Sequence, residues 1–152
     1  MKLRVYTDTS VFGGCFDDEF AEYSTLLFKQ FKSGAKILTI SDLTLRELQN
    51  APKQVLEIYD SMPKEFTAFT VLDDEAELLA KKYIDEKAVS KKFFIDAQHI
   101  AIASINRVDV LVSWNFKHIV NLRRIQLYNA TNLKYGYPLI EIRSPREVID
   151  EK

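Results

Sequence analysis

Leu3-Arg4-Val5-Tyr6-Thr7-Asp8 is a short run with little polar alternation that stops at an acid. Such a run reads as a strand buried on both faces of a parallel sheet. Val108-Asp109-Val110-Leu111-Val112-Ser113 repeats the pattern late in the chain, again ending on a polar residue and a turn. Lys36–Ile40 reads as a third strand, bounded by Gly34 and by Ser41-Asp42, a helix N-cap signal. Thr67–Leu72 and Leu139–Ile142 carry weaker strand patterns. Between them, helical spacing predicts helices over Asp18–Lys32 (stripe Phe20, Tyr23, Leu27, Phe31), Leu43–Asn50, Pro52–Ser61 and, after an Asp73 cap, Asp74–Lys87. Phe93–Asn106 is apolar on most sides, as in a helix packed inside, and Ser144-Pro145-Arg146-Glu147 is a capping box opening a short C-terminal helix. Strands alternating with helices predict an α/β sandwich with a mostly parallel sheet, in which reactive groups gather beyond the carboxyl ends of the strands.

Composition bounds the rest. With 152 residues, 47% hydrophobic and 28% charged, 4 Gly and 4 Pro, the chain is expected to form one globular domain over 1–152 and is no disordered or collagenous sequence. The longest uncharged stretch, Ala97–Asn106, is far short of the roughly 20 residues of a transmembrane helix, so no membrane association is expected. Met1–Thr7 lacks the apolar core of a secretory signal, and one cysteine, Cys15, fits a reducing compartment; both point to the cytoplasm. A net charge of −1 gives no global basic field, so any nucleic acid must be held by local patches.

Three acids stand where chemistry is expected. Asp8 follows its strand directly; it either caps the turn or is paired or metal-bound, since a lone carboxylate is costly there. Asp96 opens the apolar helix among Ile95, Ile100 and Ala103, where an unpaired charge is unfavourable, although the helix dipole also favours an acid in that turn. Glu47 lies on a short helix beside Arg46, a ready salt-bridge partner.

Val5-Tyr6-Thr7-Asp8-Thr9-Ser10-Val11-Phe12-Gly13, Glu47, Asp96-Ala97-Gln98-His99-Ile100-Ala101-Ile102-Ala103 and Leu111-Val112-Ser113-Trp114-Asn115-Phe116 together resemble the PIN-domain nucleases, particularly the VapC-like toxins of prokaryotic toxin–antitoxin pairs. The separations between Asp8, Glu47, Asp96 and Asn115 are 39, 49 and 19 residues, and the likeness covers nearly the whole chain. The resemblance implies a three-layer α/β/α fold and an acidic pocket that holds Mg²⁺ or Mn²⁺ and hydrolyses RNA. In it Asp8 and Asp96 are the principal ligands, Glu47 completes the site directly or through water, and Asn115 is its fourth member. Carboxylates without clustered Cys or His suit such hard cations. Ser10 either orients Asp8 or satisfies the turn.

Where many members of that family carry a further acid, this chain has Asn115, which offers a carbonyl but no charge. Asp17, Asp18 and Glu19 either compensate at the pocket mouth or complement a helix dipole. Lys117 and His118 follow Asn115 and either grip an RNA phosphate or are an exposed loop Lys and a His bonded to backbone; Lys91 and Lys92 close a basic cluster with Lys81, Lys82 and Lys87, either RNA phosphate contacts or a solvated helix face. Arg123 and Arg124 form a second basic patch, and Trp114 and Tyr128 stack on bases or belong to the core. The resemblance further implies a homodimer and a small antitoxin partner, with a basic side chain entering the acidic pocket; Phe12, Phe16 and Phe20 either offer such a partner an apolar contact near the pocket mouth or belong to the core, as the helical stripe favours for Phe20. A PIN-like module with weakened catalysis, binding RNA or protein, is the alternative that Asn115 motivates. Aspartyl-phosphate chemistry lacks a second carboxylate two residues after Asp8, and Gly13-Gly14 is no phosphate-binding glycine loop.

Overall fold

A computed structural model describes residues 1–149. The strands are β1 (Arg4–Thr7), β2 (Ile37–Ser41), β3 (Thr67–Thr70), β4 (Val110–Val112) and β5 (Ile142–Arg143). They form one sheet in the order β3-β2-β1-β4-β5, every pair parallel. The helices are α1 (Thr9–Gly14), α2 (Ala21–Ser33), α3 (Asp42–Gln49), α4 (Lys53–Asp60), α5 (Asp74–Asp85), α6 (Phe94–Ile105), α7 (Leu122–Lys134) and α8 (Pro145–Val148).

Strand residues alternate between two cores, which makes three layers. Val5, Leu38, Ile40, Val110 and Val112 pack with Phe12, Leu27, Phe28, Phe31, Leu48 and Val55 from α1–α4. Tyr6, Leu111 and Ile142 face the other way, onto Leu79, Ala80 and Tyr83 of α5, Ile100 and Ala101 of α6 and Tyr128 of α7. This is the α/β/α sandwich expected from the sequence. No helix among the described residues is long and apolar enough to cross a membrane.

The cap signals hold. Ser41 Oγ accepts from Thr44 N at 3.2 Å, Asp73 Oδ1 from Ala76 N at 2.9 Å, and Ser144 with Glu147 forms the capping box. Two helices have no counterpart in the sequence reading. α1 is short and ends in Gly13-Gly14, and of the three residues that α7 buries, Tyr128, Thr131 and Asn132, only Tyr128 belongs to the apolar core. Asn132 is satisfied instead by polar neighbours, donating to Ser104 Oγ and Pro138 O and accepting from Tyr83 Oη.

Candidate active site

The chain leaves β1 for β2 and β3 on one side, then returns to place β4 on the other. The switch in strand order therefore lies between β1 and β4, the place where open α/β sheets form their clefts. Asp8 sits at that carboxyl edge, tied to the neighbouring strand by Asp8 N donating to Val112 O at 3.1 Å. Its carboxylate is buried, and two hydroxyls hold Oδ2: Ser113 Oγ donates at 2.7 Å and Ser10 Oγ at 3.0 Å. Ser10 Oγ in turn accepts from Trp114 N at 3.0 Å, and Ser113 Oγ from Asn115 N at 2.9 Å. Ser10 thus orients Asp8 and fastens α1 to the turn after β4.

Glu47 comes to the same edge from α3, which follows β2 without a loop. Its hydrogen-bond partners are not on its own helix: Oε1 accepts from His99 Nε2 at 2.7 Å and from Thr9 Oγ1 at 2.8 Å. Burial pushes the Glu47 carboxyl up, but the His99 hydrogen bond and charge, the Thr9 hydroxyl and Arg46 outweigh it and hold it below its usual value. His99 Nε2 also lies 4.0 Å from Asp8 Oδ1. One ligand atom from each of Asp8, Glu47 and His99 falls within 4.8 Å of the others, a spacing that can hold a metal ion.

Asp96 lies in the first turn of α6, half-buried. Burial, and then the negative charges of Asp8 and Glu47, raise its pKa to about 6, against the pull of His99 and Asn115. The three acids therefore share one field. His99 is fully interior. Burial favours its neutral form, but the Tyr6 oxygen, Glu47 and Asp8 together raise its pKa well above the usual value. Its place was legible in principle, because His99 stands three residues after Asp96 and so shares a helix face with it.

Asn115 meets Asp96 with its nitrogen, Nδ2 lying 3.4 Å from Asp96 Oδ2. Its oxygen accepts from Lys117 N at 3.1 Å and His118 N at 3.0 Å. The carbonyl expected to face a cation is thus engaged in the backbone turn. His118 corrects the sequence reading: it is buried, stacked on Phe93 with centroids 3.6 Å apart, and desolvation together with Arg124, Lys117 and Lys92 lowers its pKa. A neutral packed imidazole gives no positive charge to a phosphate. Lys91, Lys92 and Lys117 are exposed, as are Asp17, Asp18 and Glu19. Trp114 and Tyr128 are core residues, and Phe12 is fully buried, so neither ring and not Phe12 is offered to a partner; Phe20 stacks on Trp114 at 4.3 Å, while Phe16 and Phe116 remain about half exposed.

No protein-family model matches the chain, and no curated protein does. Solved structures do. VapC20 of Mycobacterium tuberculosis, described as a sarcin-ricin loop cleaving toxin, superposes with a TM-score of 0.57 at 11% identity, over 75% of this chain and 92% of that one. VapBC2 of Rickettsia felis, bound to a promoter DNA fragment, gives 0.55 at 15% identity over 93% and 98%. FitAB bound to a DNA fragment gives 0.59 at 11% identity over 97% and 99%. At these identities the likeness is one of fold, and the fold is the PIN-like one that the motifs resemble.

Proposed function

We propose that this PIN-like chain is a metal-dependent endoribonuclease that hydrolyses RNA phosphodiester bonds, acting as the toxin of a toxin–antitoxin pair. The observation that carries it is the group of Asp8, Glu47 and His99 at the β1–β4 switch point, each with a ligand atom within 4.8 Å of the others, together with Asp96, whose carboxyl feels the charge of both acids. Their carboxylate oxygens suit Mg²⁺ or Mn²⁺. Asp8 and Glu47, with Asp96, would hold the cation. Once bound it supplies Lewis acidity, lowering the pKa of water and neutralising charge that grows on phosphoryl oxygens.

The chain's own groups prepare the reaction. Ser10 and Ser113 engage Oδ2 of Asp8, so Oδ1 is the oxygen nearer His99. Asp96, with a pKa of about 6 in the metal-free protein, would give up its proton as a cation binds. Lys91, Lys92 and Lys117 are exposed and would engage RNA phosphates. A small antitoxin silences the site by inserting an Arg or Lys against the acids, with Phe16 and Phe116 as apolar contacts, and the toxin works as a cytoplasmic homodimer.

Asn115 favours a second reading, a PIN-like module with weakened catalysis that binds RNA or protein, because its amide replaces a charge beside Asp96. One assay separates the two. Purified full-length protein is mixed with single-stranded RNA and Mg²⁺ or Mn²⁺. Cleavage is expected, lost in EDTA and in folded Asp8→Asn or Asp96→Asn. In the native host, with any neighbouring partner gene deleted, the wild type arrests growth and Asp8→Asn does not. RNA binding without cleavage by the wild type would install the second reading.

A further inference from the structure

Beneath Glu47 runs a buried polar chain that the proposed reaction leaves unused. His99 Nε2 meets Glu47 Oε1 at 2.7 Å, and on the other edge of the ring Nδ1 meets Tyr6 Oη at 2.7 Å. Tyr6 Oη continues to Ser41 Oγ at 2.8 Å, and Ser41 Oγ accepts from Thr44 N at 3.2 Å. Tyr6, His99, Ser41 and Thr44 have at most 1% of their surface exposed. The chain joins β1, α6, the end of β2 and the first turn of α3, the helix that carries Glu47.

The proton directions follow from the acceptor at the end. An ionised carboxylate only accepts, so Nε2 must carry the hydrogen given to Glu47. Tyr6 meets the other nitrogen edge-on, its ring 5.7 Å from the imidazole at 62°, which leaves the imidazole little room to turn. Buried hydrogen-bond chains of this kind fix the geometry of the last group in the chain.

We infer that His99 is a positioning residue, keyed by Tyr6, that aims the Glu47 carboxylate at Asp8 and thereby sets the divalent-cation affinity of the site without itself being a ligand. The inference rests on the metal-site reading above. It assigns to the interior, from Ser41 through Tyr6, control over a carboxylate at the surface of the cleft. Burial alone does not require this arrangement, since a Leu of similar bulk would fill the space under Glu47 but donate nothing.

The test is Mn²⁺ affinity of the full-length protein, read by the electron paramagnetic resonance of free and bound ion and independent of turnover. Variants are His99→Leu, His99→Gln, Tyr6→Phe and the Tyr6→Phe/His99→Leu pair, with Asp8→Asn as the control for site occupancy and thermal unfolding as the check on folding. His99→Leu should weaken Mn²⁺ by roughly 10–100-fold, the range for lost supporting bonds to ligands. His99→Gln, which keeps a donor, should recover most of that loss. Tyr6→Phe should weaken binding severalfold in the wild type and add nothing once His99 is Leu. Nitrogen coupling to bound Mn²⁺ should be absent. Unchanged affinity in His99→Leu, an additive effect of Tyr6→Phe, or a nitrogen signal that His99→Gln abolishes would each overturn the assignment while leaving the metal site standing. If His99→Leu does not fold, the Gln and Tyr6→Phe arms decide. Wild-type protein that binds no Mn²⁺ dependent on Asp8 would overturn the metal-site reading and this inference with it.

Discussion

Asn115 presents nitrogen to Asp96: its Nδ2 lies 3.4 Å from Asp96 Oδ2, while its oxygen is held by the amides of Lys117 and His118. The residue is at once a turn-former and the donor that faces the most perturbed carboxylate of the site.

Asn115→Asp should therefore separate these roles. One carboxylate oxygen can still accept from the Lys117 and His118 amides, and the other sets a negative charge beside Asp96. Without metal, the variant should melt at lower temperature than the wild type at pH 7.5 and match it near pH 4, where the new pair is protonated. With Mn²⁺, binding should tighten on the order of tenfold, as an added ligand charge does. Titration calorimetry measures it, and equal or weaker affinity would remove position 115 from the cation's surroundings.

Asp96 gives a pH signature. Its carboxyl titrates at about 6 in the folded protein against 3.8 for the free side chain. A group whose pKa rises on folding contributes stability that is full below the unfolded value and is lost as pH climbs through the folded value. Between pH 4 and pH 6 the metal-free protein should lose that contribution, and above it the ionised group is a burden. Asp96→Asn removes the burden, so at pH 7.5 the metal-free variant should be more stable by roughly 1–2 kcal/mol, allowing for the solvent that reaches this half-buried side chain. The advantage should vanish near pH 4 and reverse when Mn²⁺ is added to the wild type. Melting curves across this range decide it; an advantage that is constant with pH would show that Asp96 ionisation is not its source.

Gly14 tests the scaffold behind Asp8. A Cβ there would lie 2.6 Å from Ser24 Oγ and 2.7 Å from Trp114 Nε1, the two atoms that bond each other at 2.8 Å. Gly14→Ala must push the indole off Ser24, at a cost of about 1–3 kcal/mol for overpacking. Trp114 N is the donor to Ser10 Oγ, so the strain is passed to a hydroxyl that holds Asp8. The fluorescence of the single tryptophan should shift together with the fall in melting temperature. No change in either would mean that the turn absorbs the methyl elsewhere.

The parts of this site that the sequence shows are those fixed by local rules. Asp8 follows an apolar strand, and Asp96 interrupts an apolar helix, so burial and charge conflict within a few residues of each. Glu47 carries no such conflict: its partner stands 52 positions away on α6, and a neighbouring Arg46 offers a plausible but different pairing. His118 follows Lys117 in a turn, where the sequence offers a phosphate contact or a backbone bond, yet Phe93 covers it from another element. α7 escapes notice because two of its three buried residues, Thr131 and Asn132, are polar, and Asn132 is satisfied by Tyr83 and Ser104 across the core. Tertiary partners decide each of these cases, and a single sequence does not display them.

The central position of β1 has a consequence for the time at which the site exists. The first strand made is flanked on one side by β4, and both the backbone acceptor at Val112 and the hydroxyl of Ser113 that hold Asp8 are translated more than a hundred residues after it. Pairing over so long a stretch of chain closes late, because the loop entropy must be met before the contact forms. On the ribosome, a nascent chain short of β4 carries Asp8 and Glu47 but lacks both the strand and the hydroxyl that hold Asp8. A protein proposed to cut RNA thus has no assembled site to turn on the message it is being read from until the chain has passed residue 113.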